Sequence, residues 1–264
     1  MPALPIEHPR IVGLIPAAGY ATRLGPLPCS KEIYPIGSLP DPDGGAPRPR
    51  VVSHYLLEKM RRAGIENAYI VLREGKWDIP AHFKDGALVD MRLGYLLVTV
   101  PYGAPWTLDA AYPFVRQSLV ALGFPDILFS TDDAYARLIE HQQRSAADVV
   151  LGLFPADQPQ ATDMVAVDHD GRVTQIVPKP VHTTLTLTWG IALWTPVFTD
   201  FMHNYLAQRP VPTKTAKELF VGDVLQAGID DGLRVEGVHV SDLPYLDIGS
   251  PDNLARALSE YPPT

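Results

Sequence analysis

Ile11-Val12-Gly13-Leu14-Ile15-Pro16-Ala17-Ala18-Gly19-Tyr20-Ala21-Thr22-Arg23-Leu24 is the segment on which the reading of this chain turns. Its first five residues form a short apolar run rich in β-branched side chains, the pattern of a strand buried on both faces. The run gives way to Pro16-Ala17-Ala18-Gly19, and two cations follow: Arg23, then Lys31 in the pair Ser30-Lys31. Small residues after a strand let the backbone approach a polyphosphate closely, so that its N–H groups donate to the oxygens unobstructed. Arg23 and Lys31 add positive charge at the same place. A Walker A loop is excluded, because no Gly-Lys-Ser/Thr follows at the required spacing. A dinucleotide fingerprint is excluded too, because its glycine spacing is absent. A tight turn with solvated cations is the plainer alternative.

The local cations matter because the rest of the chain is acidic. Lys+Arg number 22 against 30 Asp+Glu, a formal net charge of −8. That balance argues against a nucleic-acid partner, whose binding surface normally carries a basic stripe. It also means that a phosphate ligand needs nearby cations, backbone N–H groups or a metal to be held at all. The 264 residues, 46% of them hydrophobic, suffice for one large α/β domain and not for two full-sized ones. The apolar runs, such as Val149 to Phe154, are strand-sized and too short to span a bilayer, so no membrane association is expected. The stretch from Met1 to Arg10 has three prolines and a Glu before its first apolar run, and is not expected to be a secretory signal. Cys29 is the single cysteine, which excludes an intrachain disulfide and makes a reducing cytoplasm the expected location.

Outward from the opening strand, helical spacing covers Val51 to Ala63, with Gly64 where a C′ glycine belongs. Strands are expected at Ala68–Leu72, Tyr95–Val100, Ile127–Thr131 and Val149–Phe154, and helices at Leu108–Ala121 and Ala134–Arg144. This alternation predicts a three-layer α/β/α fold around a mixed, mainly parallel sheet. Beyond Phe154 a hairpin is expected from Met164–Val167 and Arg172–Val177 about Asp168-His169-Asp170-Gly171. Further strands are expected at Gly190–Trp194 and Arg234–Val240, with helices at Pro196–Leu206, Thr215–Ala227 and Asn253–Leu258. The whole, residues 1–264, reads as one domain.

The segment Leu14 to Leu24, continued by Ser30-Lys31 and Tyr34-Pro35-Ile36-Gly37, resembles the signature of the sugar-phosphate nucleotidyltransferases, which include glucose-1-phosphate thymidylyltransferases and uridylyltransferases. The resemblance implies a Rossmann-like fold and transfer of a nucleoside monophosphate from a triphosphate to a sugar 1-phosphate. It also implies Mg2+ as cofactor, and dimers or tetramers are frequent in the family. The nucleotide would lie in the half spanning 1–154 and the sugar phosphate in 155–264. The triphosphate grip carries over to Ala17, Ala18, Gly19, Thr22 and Arg23, and the phosphate-binding lysine to Lys31. Two departures stand out: Ala21 replaces a second Gly, and the stretch from Arg23 to Lys31 is short.

Three later elements extend the resemblance. Leu128-Phe129-Ser130-Thr131-Asp132-Asp133 places acids after a predicted strand, where α/β ligands bind; they read as metal ligand, helix N-cap, or one of each. Tyr245-Leu246-Asp247-Ile248-Gly249-Ser250-Pro251 resembles the family's late Asp-x-Gly-Ser/Thr-Pro element. The resemblance therefore makes Asp132 and Asp247 the metal pair, with Arg23, Lys31 and Asp132 catalytic. Val177-Pro178-Lys179-Pro180 and Thr188-Trp189-Gly190 resemble the sugar-facing elements, which assigns Lys179, Gly190 and Asp247 to the sugar phosphate. Pro178 stands where an acidic sugar contact is usual, and Gly190 reads equally as a packing glycine. Trp106 occupies the base-recognition segment, where it either stacks on the base or covers the core. Cys29 reads as a bystander, and His54, His141, His182 and His203 lack metal-ligand spacing. Two alternatives remain: a cytidylyltransferase acting on a polyol-type phosphate, and a non-catalytic nucleotide-sugar sensor.

Overall fold

The structure, a computed structural model, describes residues 10–41, 44–99, 102–210 and 218–261. Strand β1 (Ile11–Pro16) alternates between two cores, Val12 and Leu14 entering one and Ile15 the other. That is why its sequence is apolar without alternation. β2 (Pro35–Leu39) and β3 (Arg48–Val51) form a separate antiparallel ribbon that the sequence did not reveal. Helix α1 (Val52–Arg62) and strand β4 (Asn67–Arg73) lie where expected. Gly64 has the positive φ, 82°, of a C′ glycine. A short helix α2 (Asp78–Phe83) and strand β5 (Arg92–Val98) follow.

The next stretch departs from expectation. Leu108–Ala121 is not one helix. It divides into α3 (Ala104–Asp109), α4 (Tyr112–Val115) and strand β6 (Leu119–Gly123). Pro113 supplies the reason: it lacks an N–H and cannot sit in a helix interior, so it opens a new first turn instead. Leu119 to Gly123 is buried at every position and pairs with β1. The strand expected over Ile127–Thr131 shrinks to β7 (Ile127–Leu128), which lies outside the main sheet. Both errors shift the carboxyl end of the sheet, and with it the site.

Helix α5 (Ala134–Ser145) and strand β8 (Val149–Pro155) agree with the sequence, as does the hairpin of β9 (Asp163–Val167) and β10 (Val173–Pro178). Strand β11 (Leu187–Trp194) and helix α6 (Pro196–Ala207) come next. The helix expected over Thr215–Ala227 begins outside the described residues, and its described part is α7 (Val221–Asp230). β12 (Val235–His239), β13 (Leu246–Asp247) and α8 (Pro251–Glu260) complete the order. Met1 to Pro9, Pro42-Asp43 and Val100-Pro101 also lie outside the described residues.

Among the described residues the main sheet has nine strands. β5-β4-β1-β6 pair in parallel, and β12 pairs β8 in parallel. β11 joins these two groups by running antiparallel to β6 and β8, and it also touches β9. The sheet is therefore mixed and mainly parallel, with only β10 and β11 reversed. Side chains of α1, α2 and α5 fill one core, and those of α3, α4, α6 and α7 fill the core on the opposite face. A third, smaller core of Ile36, Val52, Tyr55, Leu128, Leu246, Ile248 and Ala257 ties the β2, β7 and β13 segments to α1 and α8. Among the described residues no helix is long and apolar enough to cross a membrane.

Candidate active site

Three adjoining chambers run along the carboxyl ends of β1, β6 and β8. The first, about 390 Å³, is walled by Ala18, Gly19, Thr22 and Lys31 of the opening loop and by Gly103, Ala104 and Thr107 across from it. The second, about 240 Å³, opens on Arg23, Asp126, Asp163, Lys179, Tyr245 and Asp247. Ala104, Phe124, Asp126 and Glu218 border both, so the two are continuous. A third, against α8, shares Arg23, Thr162, Tyr245 and Asp247 with the second. The loop signature and the late Asp-x-Gly-Ser-Pro element therefore face one cleft.

The loop's backbone has specific demands. Ala17 does not enter the cleft: its N–H continues the ladder to the Val71 carbonyl at 2.8 Å, and its side chain is buried. Ala21 holds a left-handed φ of 55°, and the turn Thr22–Leu24 closes through the Leu24 N–H to the Ala21 carbonyl. Gly25 follows at φ 72°, ψ −163°, a conformation open essentially to glycine alone. Asp78 fastens the far end by accepting bonds from the Ser30 N–H and Oγ, both 2.7 Å, which sets the turn that begins at Lys31. Beneath lies the buried ion pair of Glu32 and Lys76. Burial drives the Glu32 carboxyl up and the Lys76 ammonium down, each against the pull of the other's charge.

Asp126 and Asp247 meet because β7 and β13 pair. Leu246 lies opposite Leu128, Asp247 lies opposite Ile127, and the Ile248 N–H donates to the Asp126 carbonyl at 3.0 Å. Asp126 forms an ion pair with Lys31, and Arg23 stands 3.9 Å from Asp247. The electrostatics record this crowding. Burial raises the Asp247 carboxyl and the facing Asp126 charge raises it further, against the Gly249 N–H, Lys31 and Arg23. For Asp126, burial is outweighed by the Lys31 charge and hydrogen bond, and its pKa falls. For Lys31, burial is likewise outweighed by Asp126, and its pKa rises. Gly249 keeps this corner open, since a Cβ there would lie 2.7 Å from Arg23 Nη2 and 2.8 Å from Asp247 Oδ1. Two mutually repelling carboxylates are a hard-oxygen donor pair that fits a divalent cation such as magnesium, which binds through one or two carboxylates and keeps several waters.

Asp132 is elsewhere, which corrects the expected metal pair. Its carboxylate is held by Lys59 at 2.7 Å and by Arg62, both on α1. Its side chain is 58% exposed, against 14% for Asp126. The misreading follows from the strand error: with β6 ending at Gly123, the acid past the strand is Asp126, in Gly123-Phe124-Pro125-Asp126. A readable signal was present in the apolar run Leu119-Val120-Ala121-Leu122 just before it, behind Pro113.

Two further assignments change. Trp106 packs against the core of α3, α6 and α7 and walls none of the three chambers, so it covers the core, and Thr107 faces the cleft. Gly190 sits at a register shift in β11, and a Cβ there would press on the Tyr245 ring at 3.0 Å. It is a packing glycine that lets Tyr245 become the chamber wall. Lys179 does reach the second chamber, at a left-handed φ of 44° and with its ammonium 3.7 Å from the Phe220 ring centroid. Thr188 and Tyr245 lay within the quoted motifs without a role of their own, and Thr162 went unmarked; their hydroxyls bond one another at the chamber wall, Thr162 to Tyr245 at 2.6 Å.

Residues 12–263 match the family model described as nucleotidyl transferase. The chain is 23% identical to a low-salt glycan biosynthesis nucleotidyltransferase of Haloferax volcanii, covering 93% of this chain and 64% of that one. It is 24% identical to a glucose-1-phosphate thymidylyltransferase of Streptomyces antibioticus, covering 85% and 59%. It is 25% identical to a mannose-1-phosphate guanylyltransferase of Mycobacterium tuberculosis, covering 95% and 64%. The chain thus spans about 59–64% of the length of these curated relatives. A Bacillus anthracis crystal structure, provisionally designated a glucose-1-phosphate thymidylyltransferase and solved with sucrose, superposes with a TM-score of 0.79 at 18% identity, covering 95% of both chains. That likeness extends to the fold.

Proposed function

The chain belongs to the nucleotidyl transferase family, and from that premise we propose that it joins a nucleoside triphosphate to a sugar 1-phosphate, releasing pyrophosphate and a nucleoside-diphosphate sugar. One observation carries the reading: Asp126 and Asp247, far apart in sequence, converge with Arg23 and Lys31 where the opening loop meets the second chamber. The relatives' names favour a sugar phosphate over a polyol phosphate as acceptor.

The reaction is in-line attack of a sugar-phosphate oxygen on the α-phosphorus. That oxygen is ionised at neutral pH, so no general base is required, and the protein's part is to position and to neutralise charge. The triphosphate lies in the first chamber against Ala18, Gly19 and Thr22, where an overall acidic protein offers open backbone. Lys31 and Arg23 neutralise the triphosphate and the departing pyrophosphate. Lys179 holds the acceptor's phosphate in the second chamber. Asp126 and Asp247 are the residues that would hold magnesium, which would supply positive charge to offset that of the phosphates.

The test is magnesium-dependent pyrophosphate release over a panel of nucleoside triphosphates crossed with sugar 1-phosphates and a polyol phosphate. At least one sugar 1-phosphate is expected to release pyrophosphate in step with nucleotide-sugar formation. Silence from every pair, or release that needs no acceptor, contradicts the reading.

A further inference from the structure

Asp163 is a titratable group that the reaction above leaves without a role. It opens β9 and lies directly across the ladder from Pro178, the residue before Lys179. It walls the second chamber together with Lys179, Trp189 and Tyr245. Its place is made by α7: a Cβ on Gly222 would collide with the Asp163 carboxylate. The charge of Lys179, the Gly222 N–H and the Trp189 indole N–H support the carboxylate, and the neighbouring Asp223 charge opposes it. Among the described residues Asp163 forms no ion pair. A carboxylate offers about four lone-pair positions, so these two donors leave accepting capacity on the side that walls the chamber.

The neighbouring hydroxyls do not compete for it. Thr162, Thr188 and Tyr245 are committed to one another, and Thr188 Oγ1 also donates to the Asp163 carbonyl at 2.9 Å. Pro178 has no side-chain acceptor. On this wall the chamber therefore offers a cation, Lys179, suited to a phosphate, and near it a carboxylate, Asp163, which repels phosphate and accepts hydroxyls. A ligand matching both is a phosphate ester of a polyhydroxylated ring.

Resting on the transferase reading above, we infer that Asp163 accepts a hydrogen bond from a ring hydroxyl of the sugar phosphate and so selects which aldose phosphate is used. Charge-assisted hydrogen bonds are the strong ones, and leaving such an acceptor unpaired in a closed site penalises analogues that lack the donor.

The experiment compares the wild type with Asp163→Asn and Asp163→Ala on the best acceptor and on its monodeoxy analogues, with the triphosphate saturating. Acceptor KM is expected to rise at least tenfold in both variants while triphosphate KM stays within twofold. One monodeoxy analogue should lose at least tenfold in kcat/KM with the wild type and nothing further with the variants, which identifies the hydroxyl. A purely structural role, as a cap on α7, predicts a lower melting temperature with unchanged acceptor KM, and that result overturns the inference. So does an equal penalty for every deoxy analogue in wild type and variants. A wild type inactive on every acceptor overturns the transferase reading and this inference with it, whereas an active wild type with indifferent variants overturns this inference alone.

Discussion

Asp126 lies beneath Lys31 in the cleft, and Asp132, six residues on, is pinned to the outside of α1 by Lys59 and Arg62. Their substitutions should separate cleanly. Asp126→Asn is expected to lower kcat by at least 10³-fold, in the range seen for losing a group that places or neutralises transition-state charge. Asp132→Asn should keep near-wild-type turnover and lose about 1–3 kcal/mol of stability, because the Lys59 side chain is only 6% exposed and loses its carboxylate partner. Steady-state kinetics with urea melts decide it, and an inactive but folded Asp132→Asn returns that residue to the site. Asp163 makes a prediction of opposite sign for stability. Burial, opposed by Lys179 and reinforced by Asp223, raises its carboxyl to about 6. A folded-state value above the unfolded one favours the protonated form, so its contribution is intact below about 4 and is lost as pH rises through 6. At pH 7.5 the ionised group therefore costs stability, and Asp163→Asn should gain about 1–3 kcal/mol while weakening acceptor use, the trade-off typical of functional sites. Equal urea midpoints at pH 7.5 would remove the argument.

At the scale of elements, the opening strand and its loop were legible because their signals are local. An apolar run, small residues, a Thr-Arg-Leu turn and a lysine lie within about one structural unit, and the fold keeps them together. The loop is also strained: Ala21 has a φ of 55°, where a side chain costs about 1–2 kcal/mol. Ala21→Gly relieves that strain but loosens the unfolded chain by about 0.4–1 kcal/mol. A net gain of about 0.5–1 kcal/mol is expected from these terms, measured as a higher denaturant midpoint. A loss would show that the left-handed turn is held only by its surroundings. The segment from Leu108 to Ile127 was misread because apolar spacing alone does not separate a buried helix from a buried strand. Pro113 was the discriminating residue.

At the scale of the whole molecule, two cores on opposite faces of one sheet hold the cleft's walls in place, and the core under α1 contains a pH-sensitive group. His54 is 2% exposed, and its Nδ1 is buried without a partner. Burial, then the Arg50 and His82 charges, lowers its pKa to about 4. The folded value lies below the unfolded 6.5, so this contribution is whole above about pH 6.5 and is lost as pH falls toward 4. The loss is on the order of 3 kcal/mol. Urea midpoints at pH 7.5 and 4.5 should show a steeper fall for the wild type than for His54→Gln; parallel falls would exclude His54 as the cause. The sequence by itself determined the α/β class, the mainly parallel sheet, the small-residue loop after the first strand and, through the family resemblance, Lys31, Lys179 and Asp247 as candidates. These follow from periodicity and short motifs, whose physics is carried by neighbours along the chain. Tertiary structure alone decided which aspartate meets Asp247, that Trp106 and Gly190 face inward, and that Asp163 enters the second chamber. Trp106 is turned inward by the packing of α3 against its neighbouring helices; the two aspartate placements depend on strand pairing across gaps of fifteen to more than a hundred residues, and a two-residue ribbon or a ladder register leaves no periodic trace in the sequence.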